Sequence, residues 1–322
     1  MLVFNSDCIT QNYLPDASVD LLICDPPFGI DETTFHKHYK RDESYVINGY
    51  VEAPSDYYQF SLDWLTQAKR VMKKDATLYI ISGWTNLRHI LNAVEKTGFS
   101  TINHLIWKFN FGVATKNKYV SSHYHILYVT TGKPKFNTYC RFGSQEKALG
   151  KSLLYQDLED VFVINKEYMP GSVKNKNKLP DALVEKLVLY SSSVGDVVGD
   201  FFLGSFTTAF VAKKLGRIPV GFEVNPESFN HYLAELDALE LGSGLDSLKK
   251  VVNTIPVNQG KRISIAEREA ILTDYQTGIG TKKEIIAYLC DKYGRGRFAI
   301  KNILDESLNS DNADHNNIGT SI

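Results

Sequence analysis

The chain has 322 residues, 43% of them hydrophobic, with 36 Lys and Arg against 37 Asp and Glu. That length holds one large domain plus a small one, with apolar content enough for a full core. No apolar run approaches membrane-spanning length, which excludes a transmembrane class. Four unpatterned cysteines (Cys8, Cys24, Cys140, Cys290) exclude a disulfide scaffold. With no signal-like N-terminus they give the expectation of a reducing cytoplasm.

The run Val19-Asp20-Leu21-Leu22-Ile23-Cys24 reads as a buried strand. It delivers Asp25-Pro26-Pro27-Phe28 at its C-terminal end, where open α/β sheets place their chemistry. Two successive prolines remove two N–H donors, so their carbonyls and the Asp25 carboxylate are acceptors only. Acceptors beside a flat ring suit an exocyclic amino group on a planar base. A strand ending in a proline turn is the plainer alternative.

Residues 54–107 read as helix Ser55–Met72, strand Thr77–Ile81, helix Leu87–Lys96 and strand Ile102–Trp107. His125–Thr130 is another strand, periodicity fades through Tyr139–Lys151, and residues 181–193 form a helix. The segment Asp196–Asn225 parses as strand, tight turn, helix and strand. Asp200 ends the first strand, Gly204 permits close approach in the turn, and Ser205, Thr207 and Thr208 open the helix. Gly216 stops that helix, and Glu223 stands at the end of strand Ile218–Phe222. A glycine turn at a helix N-terminus with an acid about twenty residues on is the logic of a nucleoside-binding βαβ unit. The acid can accept both ribose hydroxyls.

Together these motifs resemble the amino-methyltransferases of DNA that use S-adenosylmethionine. The resemblance covers roughly Met1 to Ala238, and rests on Asn5-Ser6-Asp7-Cys8, Leu14-Pro15-Asp16, Asp25–Phe28, Trp107-Lys108, Lys178-Leu179-Pro180, Asp200–Thr208 and Glu223. The tetrapeptide precedes the cofactor turn, as in the permuted β group of that family. The resemblance implies a Rossmann-like, doubly wound mixed α/β sheet carrying a target-recognition insert. It implies that Asp25 and the Pro26 carbonyl hold the target amino group, that Pro27 completes the corner, and that Phe28 stacks on the base. It places Asp7, Cys8, Asp25, Lys178, Asp200, Phe201, Phe202, Leu203, Gly204, Ser205, Thr207, Thr208, Glu223, Val224 and Asn225 around S-adenosylmethionine. The chain departs from the family at Phe201, where Pro is usual, and at Phe206, where Gly is usual; Leu179 also separates Lys178 from Pro180. A ring at 206 is expected to narrow the cofactor pocket or alter its backbone.

The chemistry follows from the residue types. An exocyclic amine is a poor nucleophile because its lone pair is delocalised. Asp25 and a proline carbonyl, by accepting both N–H bonds, draw the nitrogen toward tetrahedral geometry, and transfer becomes an in-line displacement governed by positioning. No cysteine follows a proline, so a covalent ring-carbon route is not indicated. The base must leave the duplex, and the Phe28 ring offsets part of the unstacking cost.

Two segments are basic: residues 108–151 hold eight Lys or Arg against one acid, and residues 249–301 hold eleven against five. On an otherwise acidic body these read as footprints for phosphates of double-stranded DNA, with solvated loops the alternative. Residues 1–107 are therefore read as the catalytic half. Residues 108–177 are the target-recognition region, with the last core strand, and 178–241 are the cofactor half. Lys108, Lys116, Lys118, Lys174 and Lys176 are candidate DNA contacts. The polar loop 29–53 is a candidate DNA-contacting flap or an ordinary surface loop; its His36 and His38 make no convincing metal site, and no metal is expected.

Residues 242–306 are read as a helical module joined through Gly242-Ser243-Gly244. Helices are expected over Ser264–Tyr275, after the capping box Thr281-Lys282-Lys283-Glu284, and over Arg297–Leu304. The module resembles a helix-turn-helix, with Lys292, Arg295, Arg297 and Lys301 toward DNA, or else caps the core or makes a homodimer. Residues 307–322 are expected to be disordered.

The leading reading is a DNA adenine-N6 methyltransferase, alone or paired with a restriction endonuclease. Asp at the head of the tetrapeptide favours adenine within the family. N4-cytosine methylation is the second reading. A non-catalytic DNA-binding regulator, resting on Phe206, is the third.

Overall fold

The computed structural model describes residues 2–10, 12–29, 53–110, 112, 116–167, 178–249, 258 and 261–315. The chain divides into two compact units, residues 1–142 with 147–251, and residues 143–146 with 252–322.

The first unit is built on an eight-stranded sheet. In chain order its elements are β1 (Leu2–Phe4), β2 (Val19–Cys24), α1 (Tyr57–Val71), β3 (Met72–Ser82), α2 (Leu87–Lys96), β4 (Ser100–Lys108) and β5 (His123–Thr130). A two-residue hairpin β6 (Lys147–Ala148) and β7 (Lys151–Ser152), α3 (Leu153–Asp157) and β8 (Val161–Val163) follow. Then come α4 (Asp181–Ser191), β9 (Val197–Asp200), α5 (Thr207–Lys214), β10 (Ile218–Phe222) and α6 (Pro226–Ala238). The spatial order is β1-β10-β9-β2-β3-β5-β4-β8. β5 runs antiparallel to both its neighbours, and the other pairs are parallel. The sheet is mixed, as the resemblance implies.

Strand alternation divides the core. Leu22, Cys24, Leu78 and Ile80 pack on one face with Trp64, Leu65 and Ala68 of α1 and Ile90 and Ala93 of α2. Leu21, Ile23, Tyr79 and Ile81 pack on the other with Leu183, Leu187 and Val188 of α4 and Val211 and Ala212 of α5. β2 is apolar almost throughout because both its sides are covered. α1 forms where Tyr57, Phe60, Ser61, Trp64, Leu65, Ala68 and Val71 recur at helical spacing, and Asp56 caps it by accepting from the Gln59 N–H at 2.9 Å. Asp20, in β2, accepts from Val197 N–H at the start of β9 (2.9 Å) and pairs with Lys73 (2.7 Å), which fixes how the two strands meet.

The second unit is a three-helix cluster: α7 (Ile265–Thr277), α8 (Lys282–Tyr293) and α9 (Arg297–His315), around Ile271, Ile286, Leu289, Ile300, Ile303 and Leu304. The capping box is formed: Glu284 accepts from the Thr281 N–H and hydroxyl, both at 2.8 Å. The third helix continues to His315, past Leu304 and into a stretch read as disordered from its polar composition. Helical hydrogen bonding needs no apolar face there. Residues 316–322, the loop 30–52 with His36 and His38, and residues 168–177 lie outside the described residues.

Candidate active site

β2 and β9 lie side by side, with Leu22 opposite Gly199. Asp25, just past β2, and Asp200, ending β9, therefore reach the same edge of the sheet. From β2 the chain goes to α1 on one face, and from β9 to α5 on the other. This is the topological switch point, where an open α/β sheet leaves a crevice.

At the corner after β2, the Pro27 carbonyl accepts from the Tyr57 hydroxyl (2.9 Å) and the Phe28 carbonyl from Asn86 Nδ2 (2.7 Å). The Pro26 carbonyl has no hydrogen-bond donor among the described residues. Asp25 Oδ1 is buried with no hydrogen-bond partner. Burial, then the Asp200 charge, pushes the Asp25 carboxyl up to about 8, and the Lys166 ammonium pulls the other way. Such an orphaned acceptor costs about 1–3 kcal/mol until a donor meets it. The half-buried Phe28 ring meets Tyr124 edge-on, centroids 5.1 Å apart. Lys166 Nζ lies 4.4 Å from the Phe109 ring centre and 4.6 Å from that of Tyr124.

The turn after β9 folds over β10 because position 221 lacks a side chain: a Cβ on Gly221 would lie 2.3 Å from the Asp200 carbonyl oxygen. Asp200 accepts from Phe202 N–H and from the Thr208 hydroxyl, each at 2.8 Å, and burial raises its carboxyl to about 7. Glu223 accepts from Gly204 N–H (2.7 Å) and Asn225 N–H (2.8 Å), one on each oxygen; burial raises its carboxyl, and these backbone bonds pull the other way. Ser205 and Thr207 hydroxyls pair at 3.1 Å, and Leu203 N–H bonds the Phe222 carbonyl. Phe201 is buried against Phe222, and half-buried Phe202 sits on Phe60 and Trp64. Asn225 caps α6, and Val224 is exposed. Asp7 is exposed and bonds Ile9 N–H, while Cys8 beside it is buried. Burial raises the thiols of Cys8 and Cys24, which suits neither to nucleophilic work.

One expectation needs correction, and one candidate is found already engaged. Phe206 does not enter the cofactor turn. Its backbone holds the left-handed conformation (φ 56°) that glycine would take, and its ring is fully buried against Phe229 and Tyr232 of α6. Phe206 adopts a backbone conformation that glycine reaches without strain, and its ring becomes core. Lys178 is engaged with Glu167 (3.0 Å) and Asp181 (2.9 Å) at the start of α4, so its ammonium already has carboxylate partners.

Of the DNA candidates, Lys108, Lys116 and Lys118 are exposed, and Lys174 and Lys176 lie outside the described residues. In the second unit Arg297 and Lys301 are exposed, but Arg295 is buried. Its guanidinium grips Glu267 through two bonds (2.8 and 2.7 Å) and donates to the carbonyls of Asn258, Lys261 and Arg262. Arg295 is a structural hub, and sequence charge alone does not distinguish it from a phosphate contact. Tyr57, Asn86, Tyr124 and Lys166 were not singled out from the sequence, because each joins the corner from a distant element and carries no local motif.

A model of the DNA methylase family matches residues 19–234, about two thirds of the chain. The chain belongs to the N6/N4 DNA methylase family. It is 28% identical over 254 residues to the type II methyltransferase M.HpaI of Haemophilus parainfluenzae, covering 76% of this chain and 75% of that protein. It is 27% identical over 287 residues to the DNA adenine methyltransferase YhdJ of Escherichia coli K12, covering 82% and 92%. In fold it is similar to M1.HpyAVI, solved as a complex with S-adenosylmethionine, with a TM-score of 0.53 and 20% identity over 74% of this chain and 99% of that one. The methyl donor of the family is S-adenosylmethionine. The donor set fits it: the Glu223 carboxylate is an acceptor at the end of β10, the turn 200–204 packs close on Gly221, and Asp25 has an oxygen without a donor.

Proposed function

We propose that the protein transfers a methyl group from S-adenosylmethionine to the N6 amino group of an adenine extruded from double-stranded DNA. The observation that carries this is Asp25 Oδ1, buried and unpaired beside the Pro26 carbonyl and the Phe28 ring. In this reading Asp25 and the Pro26 carbonyl each accept one N–H of the amine, and Phe28 lies against the base. Tyr57 and Asn86 hold the corner rigid by bonding the next two carbonyls. Bound S-adenosylmethionine supplies an electrophilic methyl. Asp200, Gly204, Ser205, Thr207 and Glu223 surround it, with Glu223 on the ribose. As the amine gains its methyl it sheds one N–H proton, and a carboxylate whose conjugate acid ionises at about 8 is suited to receive it.

The name of YhdJ, with Asp heading the tetrapeptide, supports adenine over cytosine. The type II name of M.HpaI supports a place in restriction–modification beside a cognate endonuclease. Four unpaired cysteines are consistent with the cytoplasm, and among the described residues no helix is long and apolar enough to cross a membrane. The regulator reading loses its basis, since the Phe206 ring is packed into the core. In the second unit α8 and α9 are joined by a three-residue turn through Gly294, with Arg297 and Lys301 exposed at the start of α9; this supports reading the pair as a helix-turn-helix that meets phosphate or groove.

The test is transfer from labelled S-adenosylmethionine to sheared genomic DNA, with mass analysis of the nucleosides. N6-methyladenine is the expected product. N4-methylcytosine would change the base and keep the site, and no product would overturn the function.

A further inference from the structure

The chain has three tryptophans. Trp64 and Trp107 are buried, but Trp84 is 74% exposed. It stands in the turn between β3 and α2, and that turn is fastened to the catalytic corner. Asn86 donates to the Phe28 carbonyl (2.7 Å), and Leu87 N–H bonds the Trp84 carbonyl (3.4 Å). Gly83 lies against the Phe28 ring, where a Cβ would be 3.4 Å from Phe28 Cδ2. A large indole held in water on a rigid turn, one residue from this contact, has no role in the core.

The neighbouring strands carry the same edge outward. Ser82, ending β3, is opposite His125; on the other side of β5, Ile106 is also opposite His125, and Lys108 is opposite His123. Strand alternation sets His104, Lys108, His123 and His125 on one face of the sheet, the face that bears Ser82. His104 Nε2 and His125 Nδ1 are 2.8 Å apart, and the His123 ring meets His125 edge-on with centroids at 5.2 Å. On β4 this face is bare, with His104 and Lys108 exposed and Ile102 45% exposed. Doubly wound sheets normally cover both faces. Arg88, in the first turn of α2, is exposed as well. The rim beside Asp25–Phe28 therefore interleaves an exposed indole with cationic and imidazole groups, the composition of a surface that tracks a nucleic-acid backbone and stacks its bases.

We propose that Trp84 is a stacking platform for a nucleobase adjacent to the extruded one, with Arg88 and Lys108 taking the phosphates beside it. This rests on the methyltransferase reading above. Extruding one base toward Phe28 deprives its neighbours of a stacking partner. An indole fixed to the same corner restores stacking without regard to which base it meets.

Because the other two indoles are buried, acrylamide reaches Trp84 in preference to them. The full-length protein is titrated with sheared genomic duplex DNA while tryptophan emission and acrylamide quenching are followed, and methyl transfer is measured in parallel. DNA is expected to shield the accessible indole, and Trp84→Ser to weaken DNA binding roughly 10- to 100-fold while leaving S-adenosylmethionine affinity unchanged. Trp84→Phe, which keeps a stacking face, is expected to retain most of the binding. Unchanged quenching at saturating DNA, or Trp84→Ser binding like the wild type, overturns the proposal. Wild-type transfer in the same samples separates the two readings: transfer with an indifferent Trp84 overturns the rim contact alone, and no transfer overturns the underlying function as well.

Discussion

Asp25 in the catalytic unit and Arg295 in the C-terminal unit are both ionisable residues withdrawn from water, and the fold treats them in opposite ways. Arg295 meets the two oxygens of Glu267 and three backbone carbonyls, so its donors are satisfied within its own unit. Asp25 has an oxygen with no partner, and its nearest charged neighbours include another acid, Asp200. A satisfied buried charge locks a structure. An unsatisfied one is a standing cost that persists where a ligand removes it. The contrast separates a residue that holds its own unit together from one whose open oxygen is the basis of the proposed substrate contact.

Breaking the corner gives the largest expected effect. Asp25→Asn keeps the shape but replaces one acceptor oxygen with a donor, and should lower methyl transfer by roughly 10²–10³-fold or more, with S-adenosylmethionine binding retained in calorimetry. The same substitution should stabilise the protein. Folded Asp25 ionises at about 8 and an unfolded Asp at about 3.9, so its contribution is fully present below about pH 4 and is lost as pH rises through 8. The gain in melting temperature from Asp25→Asn should therefore be larger at pH 9 than at pH 5.

Phe206 sharpens the comparison from the side of the core. Phe206→Ala should cost about 3–5 kcal/mol of stability by emptying the space against Phe229 and Tyr232. Phe206→Gly should cost about 1 kcal/mol less than Phe206→Ala, because the backbone is already at φ 56°. Denaturant unfolding checks both, and in each variant S-adenosylmethionine affinity of the folded protein should change little.

The smallest effects belong to the second unit. Arg295→Ala should lower its melting temperature and expose it to proteolysis. Arg297→Ala should leave melting unchanged, weaken DNA binding and reduce the salt slope by about one. Equal behaviour of the two variants would erase the distinction drawn between them.

What was legible in the sequence is what is local. Val19–Cys24 reads as a buried strand because both its faces are apolar, and helix Leu87–Lys96 and strand Ile218–Phe222 fall where periodicity and glycine stops place them. Asp25 and Asp200 were legible as strand ends carrying acids. Their adjacency is not local, since it comes from the pairing of β2 with β9, and the two acids stand 175 positions apart in the chain. Lys166 and Tyr57 escaped for the same reason, each reaching the corner through tertiary contacts and not through a motif. Arg295 was misjudged because its partner Glu267 lies a full helix away. The short elements α3 and β8, just past the stretch where periodicity fades, are too brief to show a pattern.

The most direct test of the unpaired Asp25 carboxyl as the group that holds the amine is the pH dependence of kcat/KM for methyl transfer between pH 5 and 10, measured for the wild type and for Lys166→Met. The free enzyme should gain activity as pH rises through about 8, and loss of the Lys166 charge should move that limb upward, with Lys166→Arg restoring it. A flat profile across this range, or a limb indifferent to Lys166, would contradict the assignment.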